Sequence, residues 1–192
     1  LHLSRGAETG RNHAPLPAVP PLVFAYSSPW PVPAEATLRD GLACITAPDN
    51  RWGRCDIKSV ALLANVLLRQ QAVEAGASEA ILLRDGELTE GSASTVHVVK
   101  DGVLLTPPNS ARILPGTTRL VVEQIADSLG IARRAVRIDE ATLRAADEIW
   151  LGAATREVQP VTRLDGRPVG SGRPGPLWRK VYDGFQELKR RA

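Results

Sequence analysis

Apolar residues along this chain fall in short runs bounded by glycine, proline and Asp-Gly pairs, with helical spacing confined to a few longer stretches. Leu22-Val23-Phe24-Ala25-Tyr26 and Gly41-Leu42-Ala43-Cys44-Ile45-Thr46 read as strands on either side of a proline-punctuated connection over 27–40. A β-compatible stretch ending in Ile57-Lys58 then runs into Ser59 as N-cap and into Val60, Leu63, Val66 and Leu67 at helical spacing, predicting a core helix that stops near Ala75-Gly76. A meander follows. Glu79–Arg84 and Glu87–Glu90 flank an Asp85-Gly86 turn, and Thr95–Val99 and Val103–Thr106 flank Asp101-Gly102. Gly116-Thr117-Thr118-Arg119 opens a long amphipathic helix ending at Leu129-Gly130. After it come a strand around 134–138, a short helix over 140–146 and a strand over 148–151. A last hairpin spans 161–169 around Asp165-Gly166, and a terminal helix covers 176–191. Interleaved helices, strands and hairpins predict an α+β fold built on a mixed sheet or partly closed barrel.

At 192 residues the chain holds one good-sized core and room for a small appendage. Pro17, Pro20 and Pro21 mark a linker, so the division is expected near 15–20, with 1–19 as one segment and 20–192 as the main domain. The chain has no methionine and begins on an alternating strand-like stretch, Leu1-His2-Leu3-Ser4, which reads as the interior of a longer protein. A net charge of +3 without a basic block, apart from Lys189-Arg190-Arg191, argues against nucleic acid as a partner. No apolar run reaches membrane-spanning length and no signal-peptide pattern opens the chain. Cys44 and Cys55 make neither a metal spacing nor a disulfide framework, so no metal is expected and a reduced, cytoplasmic setting fits.

Four lysines stand among far more arginines: Lys58, Lys100, Lys180 and Lys189. Lys58 alone is led into by an apolar residue and followed by an expected core helix; a desolvated lysine there could lose its proton and condense with a carbonyl. The plainer alternative is a lysine that snorkels to water. Glu90 is one of few acids away from an evident helix surface or tight turn, and near Lys58 it could neutralise a cationic ring nitrogen; alone it would be a strand-end surface acid. Leu114-Pro115-Gly116-Thr117-Thr118 offers two hydroxyls and free N–H groups at a helix start, suited to a phosphate, although such pairs also serve simply as caps. Gly152-Ala153-Ala154-Thr155 is a second small-residue stretch that allows close backbone approach to the same anion. Arg11 and His13, one residue apart in a turn-rich loop, could together hold a carboxylate or form only a solvated basic loop.

A lysine, a lone acid and two phosphate cradles are the parts needed to hold pyridoxal phosphate. Asp56-Ile57-Lys58-Ser59, Thr89-Glu90-Gly91-Ser92, Gly116-Thr117-Thr118-Arg119 and Glu157-Val158-Gln159-Pro160-Val161, in that order, resemble the fold type IV pyridoxal-phosphate enzymes. Arg51–Ser59 and Arg11-Asn12-His13 look most like the D-amino acid aminotransferases within that group. The resemblance implies a fold type IV large domain over 20–192, with 1–19 a remnant of the small N-terminal α/β domain. The earlier small-domain strands of the family, with a phosphate-gripping arginine and a tyrosine near the substrate, are missing. It further implies that Lys58 forms the Schiff base and moves the α-proton and that Glu90 pairs with the ring nitrogen. Leu114 would cover one ring face, and Thr117, Thr118 and the Ala154 and Thr155 backbone would hold the phosphate. Arg11 and His13 would bind the substrate carboxylate across a homodimer. The implied reaction is amino exchange between a D-amino acid such as D-alanine and a 2-oxo acid such as 2-oxoglutarate. The cofactor and most of these residues are shared with aminodeoxychorismate lyases and branched-chain aminotransferases, which are the alternatives. A shortened cofactor-binding protein of little activity is a third.

Overall fold

The computed structural model describes residues 1–8, 10, 13–14, 18–30 and 33–191. The chain forms two compact units, Leu1–Val32 and Pro33–Ala192. In the first, β1 (His2–Ser4) pairs antiparallel with β2 (Leu22–Phe24), His2 opposite Phe24. The strand expected to enter the main domain therefore belongs to the N-terminal unit, and the division falls after Val32 rather than near 15–20. Proline punctuation marks a connection without telling which strands pair across it.

The second unit opens with a helix where only a connection was expected: α1 (Glu35–Asp40), which ends at Gly41. Its core is a nine-stranded sheet made of β3 (Leu42–Pro48), β4 (Glu79–Arg84), β5 (Glu87–Gly91), β6 (Thr95–Lys100), β7 (Val103–Thr106), β8 (Arg133–Ala135), β9 (Glu148–Ala153), β10 (Glu157–Leu164) and β11 (Arg167–Pro168). The order is β5-β4-β3-β10-β9-β6-β7-β8, with β11 on β10; β3 runs parallel to β4 and β10, and β7 to β8. β5 and β6 have four strands between them in this order, yet three residues join them and the Gly91 N–H donates to the Ser94 carbonyl at 2.7 Å. A sheet can satisfy both only by curling, so it forms a half-barrel. The mixed α+β architecture expected from the pattern is the one observed.

Period-2 alternation sorts the side chains. Leu42, Cys44, Ile81, Leu88, Val96, Val98, Ile149, Leu151 and Val161 fill the inside of the curl, plugged by Leu143 of α4 (Glu140–Arg144). On the outside, Trp150 and Val158 meet α3 (Thr117–Ser128) and α5 (Pro176–Arg191), while Ala80 and Leu82 meet α2 (Leu63–Glu74). The Asp-Gly pairs turn as predicted: Asp85, Asp101 and Asp165 have φ of 56°, 50° and 48°, each followed by a glycine at 76°. A buried acid on β9 was not foreseen. The Glu148 carboxylate accepts from the Leu177 and Trp178 N–H groups and from Trp150 Nε1, so it caps α5 against the sheet. A Cβ on Gly175 would lie 2.0 Å from Glu148 Cδ, so only glycine admits this approach.

Candidate active site

The segment 49–62 leaves β3, crosses one end of the half-barrel and enters α2. It is neither strand nor helix. Asp49 N–H donates to the Leu83 carbonyl at 2.7 Å and Cys55 N–H to the Ala111 carbonyl at 2.8 Å, so the first half of the segment is tied down at both of its ends. The expected strand-to-helix joint at Lys58 is thus corrected: α2 starts at Leu63, Leu62 takes the N-cap position, and Ser59 makes no cap. Lys58 is exposed in this chain, as are Val60, Leu63, Val66 and Leu67; the residues that α2 buries are Leu68 and Ala72. Periodicity identified an apolar face, but β3 and β4 cover a different one, and Asn65 on their side donates to the Ser92 carbonyl at 2.7 Å. The desolvation expected for Lys58 is not supplied by this chain's own residues.

Glu90, by contrast, is buried. Its Oε1 accepts from Arg51 Nη1 and its Oε2 from the Leu114 N–H at 3.0 Å. Two residues foreseen separately, Glu90 and Leu114, are therefore brought together. Burial raises the Glu90 carboxyl above its ordinary range, and Arg51 and the Leu114 N–H act against that rise. Arg51 is also bound through Nε and Nη2 to Asp49, both at 2.9 Å, and Asp49 accepts in addition from Thr89 Oγ1 and pairs with Arg84 at 3.0 Å. Burial alone would push the Asp49 carboxyl up, but Arg51 and Thr89 overcome it and hold it at about 2.

The phosphate-type cradle lies at the same end of the sheet. Thr95 at the start of β6 pairs with Gly152 near the end of β9, and α3 begins beside them. No side chain caps α3; its N-cap is Gly116, where a Cβ would lie 3.1 Å from Thr95 Oγ1. Thr118 is buried with its methyl 3.8 Å from where a Cβ on Gly152 would sit, and Thr117 is exposed. Ala154 and Thr155 follow in the exposed turn between β9 and β10. The two small-residue stretches are thus brought together at Gly152. Arg119, in the first turn of α3, is buried elsewhere, donating to the Pro107 carbonyl at 2.8 Å and to Glu123 at 2.7 Å. Behind the cradle, Glu79 accepts from Ser92 Oγ and the Ala93 N–H and pairs with Arg156 at 2.9 Å, which ties the turn after Glu90 to the turn after Ala154.

Sequence reasoning missed Thr95, the clamp made by Arg51 and Asp49, and His97. His97 is fully buried beside Gly152, its ring 6.2 Å from that of Trp150, and neither ring nitrogen has a hydrogen-bond partner among the described residues. Burial, with the Arg119 charge adding to it, pushes its pKa down to about 3. The unfolded chain therefore takes up a proton here from about pH 6.5 downward while the folded chain does not, which lowers stability by about 1.4 kcal/mol per pH unit as pH falls toward 3. His97→Phe should remove this acid-side loss and raise stability at pH 7 by about 1 kcal/mol or more, since it deletes an unsatisfied buried N–H. Urea denaturation at pH 7 and pH 5 measures both; a variant that loses stability between pH 7 and pH 5 as steeply as the parent would contradict this.

Arg11 lies outside the described residues. His13 is exposed, in a bend of the N-terminal unit.

With the acid, the lysine segment and the helix N-terminus gathered at one end of a half-barrel, the chain has the plan of an aminotransferase domain. It belongs to the class IV amino-transferases, whose family model matches residues 1–164. It is 43% identical over 186 residues to a D-alanine aminotransferase from Bacillus licheniformis, which aligns with 97% of this chain and 65% of that protein. A D-alanine aminotransferase from Staphylococcus aureus is 42% identical over 92% of this chain and 63% of its own length. Among solved structures, a branched-chain amino acid aminotransferase from Escherichia coli superposes with a TM-score of 0.79 at 28% identity, covering 93% of this chain and 61% of that one. A second branched-chain amino acid aminotransferase, complexed with N-(5'-phosphopyridoxyl)-L-glutamate, gives a TM-score of 0.72 at 33% identity over 78% of this chain and 52% of its own. The chain spans about two thirds of the length of these curated relatives.

Proposed function

We propose that this chain forms the cofactor-binding part of a pyridoxal-phosphate-dependent D-amino acid aminotransferase, exchanging the amino group of a D-amino acid such as D-alanine with a 2-oxo acid such as 2-oxoglutarate. The observation that carries the substrate class is the similarity to D-alanine aminotransferases along 92–97% of the chain. The residues present fit the cofactor. A dianionic phosphate suits an uncapped helix start flanked by Gly116 and Gly152, where side chains would crowd Thr95 and His97. A cationic ring nitrogen suits the buried Glu90 carboxylate, whose two oxygens each keep a free lone pair after binding Arg51 and Leu114.

When bound, pyridoxal phosphate supplies an electron sink for the bond broken at the substrate's α-carbon. Thr117 and Thr118, with the backbone of Ala154 and Thr155, would hold the phosphate. Leu114 would cover one face of the ring, and its N–H fixes Glu90, which would keep a proton on the ring nitrogen. Lys58 would hold the cofactor covalently and would take and return the proton at the substrate's Cα. Arg11 supplies a permanent positive charge for the substrate carboxylate and His13 a second hydrogen bond. The chain works as a homodimer: Val60, Leu63, Val66 and Leu67 form an exposed apolar stripe beside Lys58, and a second copy seated on it would supply the desolvation that Lys58 lacks. The setting is the cytoplasm, in keeping with two free, buried cysteines. Among the described residues no helix is long and apolar enough to cross a membrane.

The branched-chain reading has support in the structural neighbours, at 28–33% identity against 42–43% for the D-alanine enzymes. Adding D-alanine to the protein loaded with pyridoxal phosphate separates the two. The cofactor's visible band should bleach with D-alanine and persist with L-leucine; the reverse pattern would place the chain with the branched-chain enzymes.

A further inference from the structure

We infer that Arg51, clamped between the Asp49 and Glu90 carboxylates, is a positioning residue that orients Glu90 toward the cofactor ring and keeps it charged. The inference rests on the reading of Glu90 as the ring-nitrogen partner and goes beyond it by assigning what holds that acid in place.

The geometry leaves Arg51 little freedom. Its side chain is 4% exposed. Nε and Nη2 are taken by Asp49, Nη1 by Glu90, and Nη2 reaches the Arg112 carbonyl at 3.1 Å. One planar fork thus joins the segment that carries Lys58, the strand that carries Glu90 and the loop that leads to Leu114 and the phosphate cradle. Asp49 sets the fork's plane and is itself fixed by Thr89 Oγ1 and Arg84. A lysine could carry the charge but could not bridge two carboxylates and a carbonyl in one plane.

The charges around Glu90 give the arrangement a chemical purpose. Arg51 and Asp49 face it from the lysine segment, with Arg84 of β4 behind Asp49; Thr89 is its neighbour on β5, and the Leu114 N–H comes from the loop before α3. Two carboxylates and two guanidiniums balance. Without Arg51, two buried acids would share Arg84 alone, and burial would drive Glu90 to take up a proton. A protonated Glu90 cannot hold a cationic ring nitrogen. Burial raises the Glu90 carboxyl and Arg51 acts against that rise, so without Arg51 ionisation comes at higher pH.

The test is the dissociation constant for pyridoxal phosphate, read by fluorescence from pH 6 to pH 8.5, in the parent, Arg51→Met, Arg51→Lys, Glu90→Gln and Arg51→Met/Glu90→Gln. Taking each variant as a ratio to the parent at the same pH cancels the titration of the cofactor's own phosphate. The Arg51→Met ratio should be about tenfold or more at pH 6 and shrink as pH rises, because a shift of one pH unit in ionisation is a factor of ten. Arg51→Lys should recover part of the loss, and it serves alone if Arg51→Met does not fold. In the Glu90→Gln background the Arg51 effect should lose its pH dependence. An Arg51 effect of equal size and pH dependence in both backgrounds, or Arg51→Lys and Arg51→Met chains that bind like the parent, would overturn the inference alone. A Glu90→Gln chain that binds as tightly as the parent would overturn it together with the ring-nitrogen reading.

Discussion

Lys58→Ala should abolish covalent capture of pyridoxal phosphate. Borohydride reduction of the loaded parent should fix one cofactor per chain on the peptide containing Lys58, and the variant should carry none. Lys58 is the one lysine placed on the segment that Arg51 ties to the buried acid; Lys100 pairs with Asp101 and Asp147 at the far end of β6, and Lys189 of α5 pairs with Glu157 at the start of β10. Loss of the base that moves a proton at Cα removes a contribution of about 10²–10⁴ in rate, and loss of the covalent step adds to it, so transamination should fall below detection. Label on Lys100, Lys180 or Lys189 would remove Lys58 from the centre of the account.

The largest effect on stability should come from Asp49→Ala. The Asp49 side chain is wholly buried and answers two arginines and a threonine. Arg84, 19% exposed, can turn to water when the carboxylate is gone; Arg51, at 4%, cannot, and keeps Glu90 as its one carboxylate beside the Arg112 carbonyl. Breaking a buried pair in this way costs about 3–5 kcal/mol, to be read from urea denaturation at pH 7. Asp49→Asn, which keeps the shape and the bond from Thr89, should cost less. The same group sets an acid window: its carboxyl is held at about 2 against 3.8 in the unfolded chain, so its contribution is complete above pH 4 and is lost as pH falls toward 2. An Asp49→Ala chain within 1 kcal/mol of the parent would mean that the cluster adds little beyond its packing.

Much of the fold was legible because its signals are local. Asp85-Gly86, Asp101-Gly102 and Asp165-Gly166 demanded left-handed backbone and received it, and the periodic stretches 117–128 and 176–191 became α3 and α5. α1 was missed because the prolines around it suggested a connection, and α2 was begun too early because apolar spacing reports a face without reporting what covers it. At the site, Glu90, Leu114, Thr117 and Thr118 were nameable from their motifs. The clamp was not. Arg51 and Glu90 are 39 residues apart, and a charged residue in a polar loop reads as surface until the fold supplies its partners. His97 sits in an alternating strand where the pattern shows which face it takes and nothing of the missing partner.

Incubating the purified protein with pyridoxal phosphate, D-alanine and 2-oxoglutarate, and quantifying pyruvate and glutamate, tests the proposal most directly. The account predicts the two products in equal amounts from D-alanine and little from L-alanine. Pyruvate and glutamate formed from L-alanine in preference to D-alanine, or neither product from a chain whose Lys58 carries the cofactor, would contradict it.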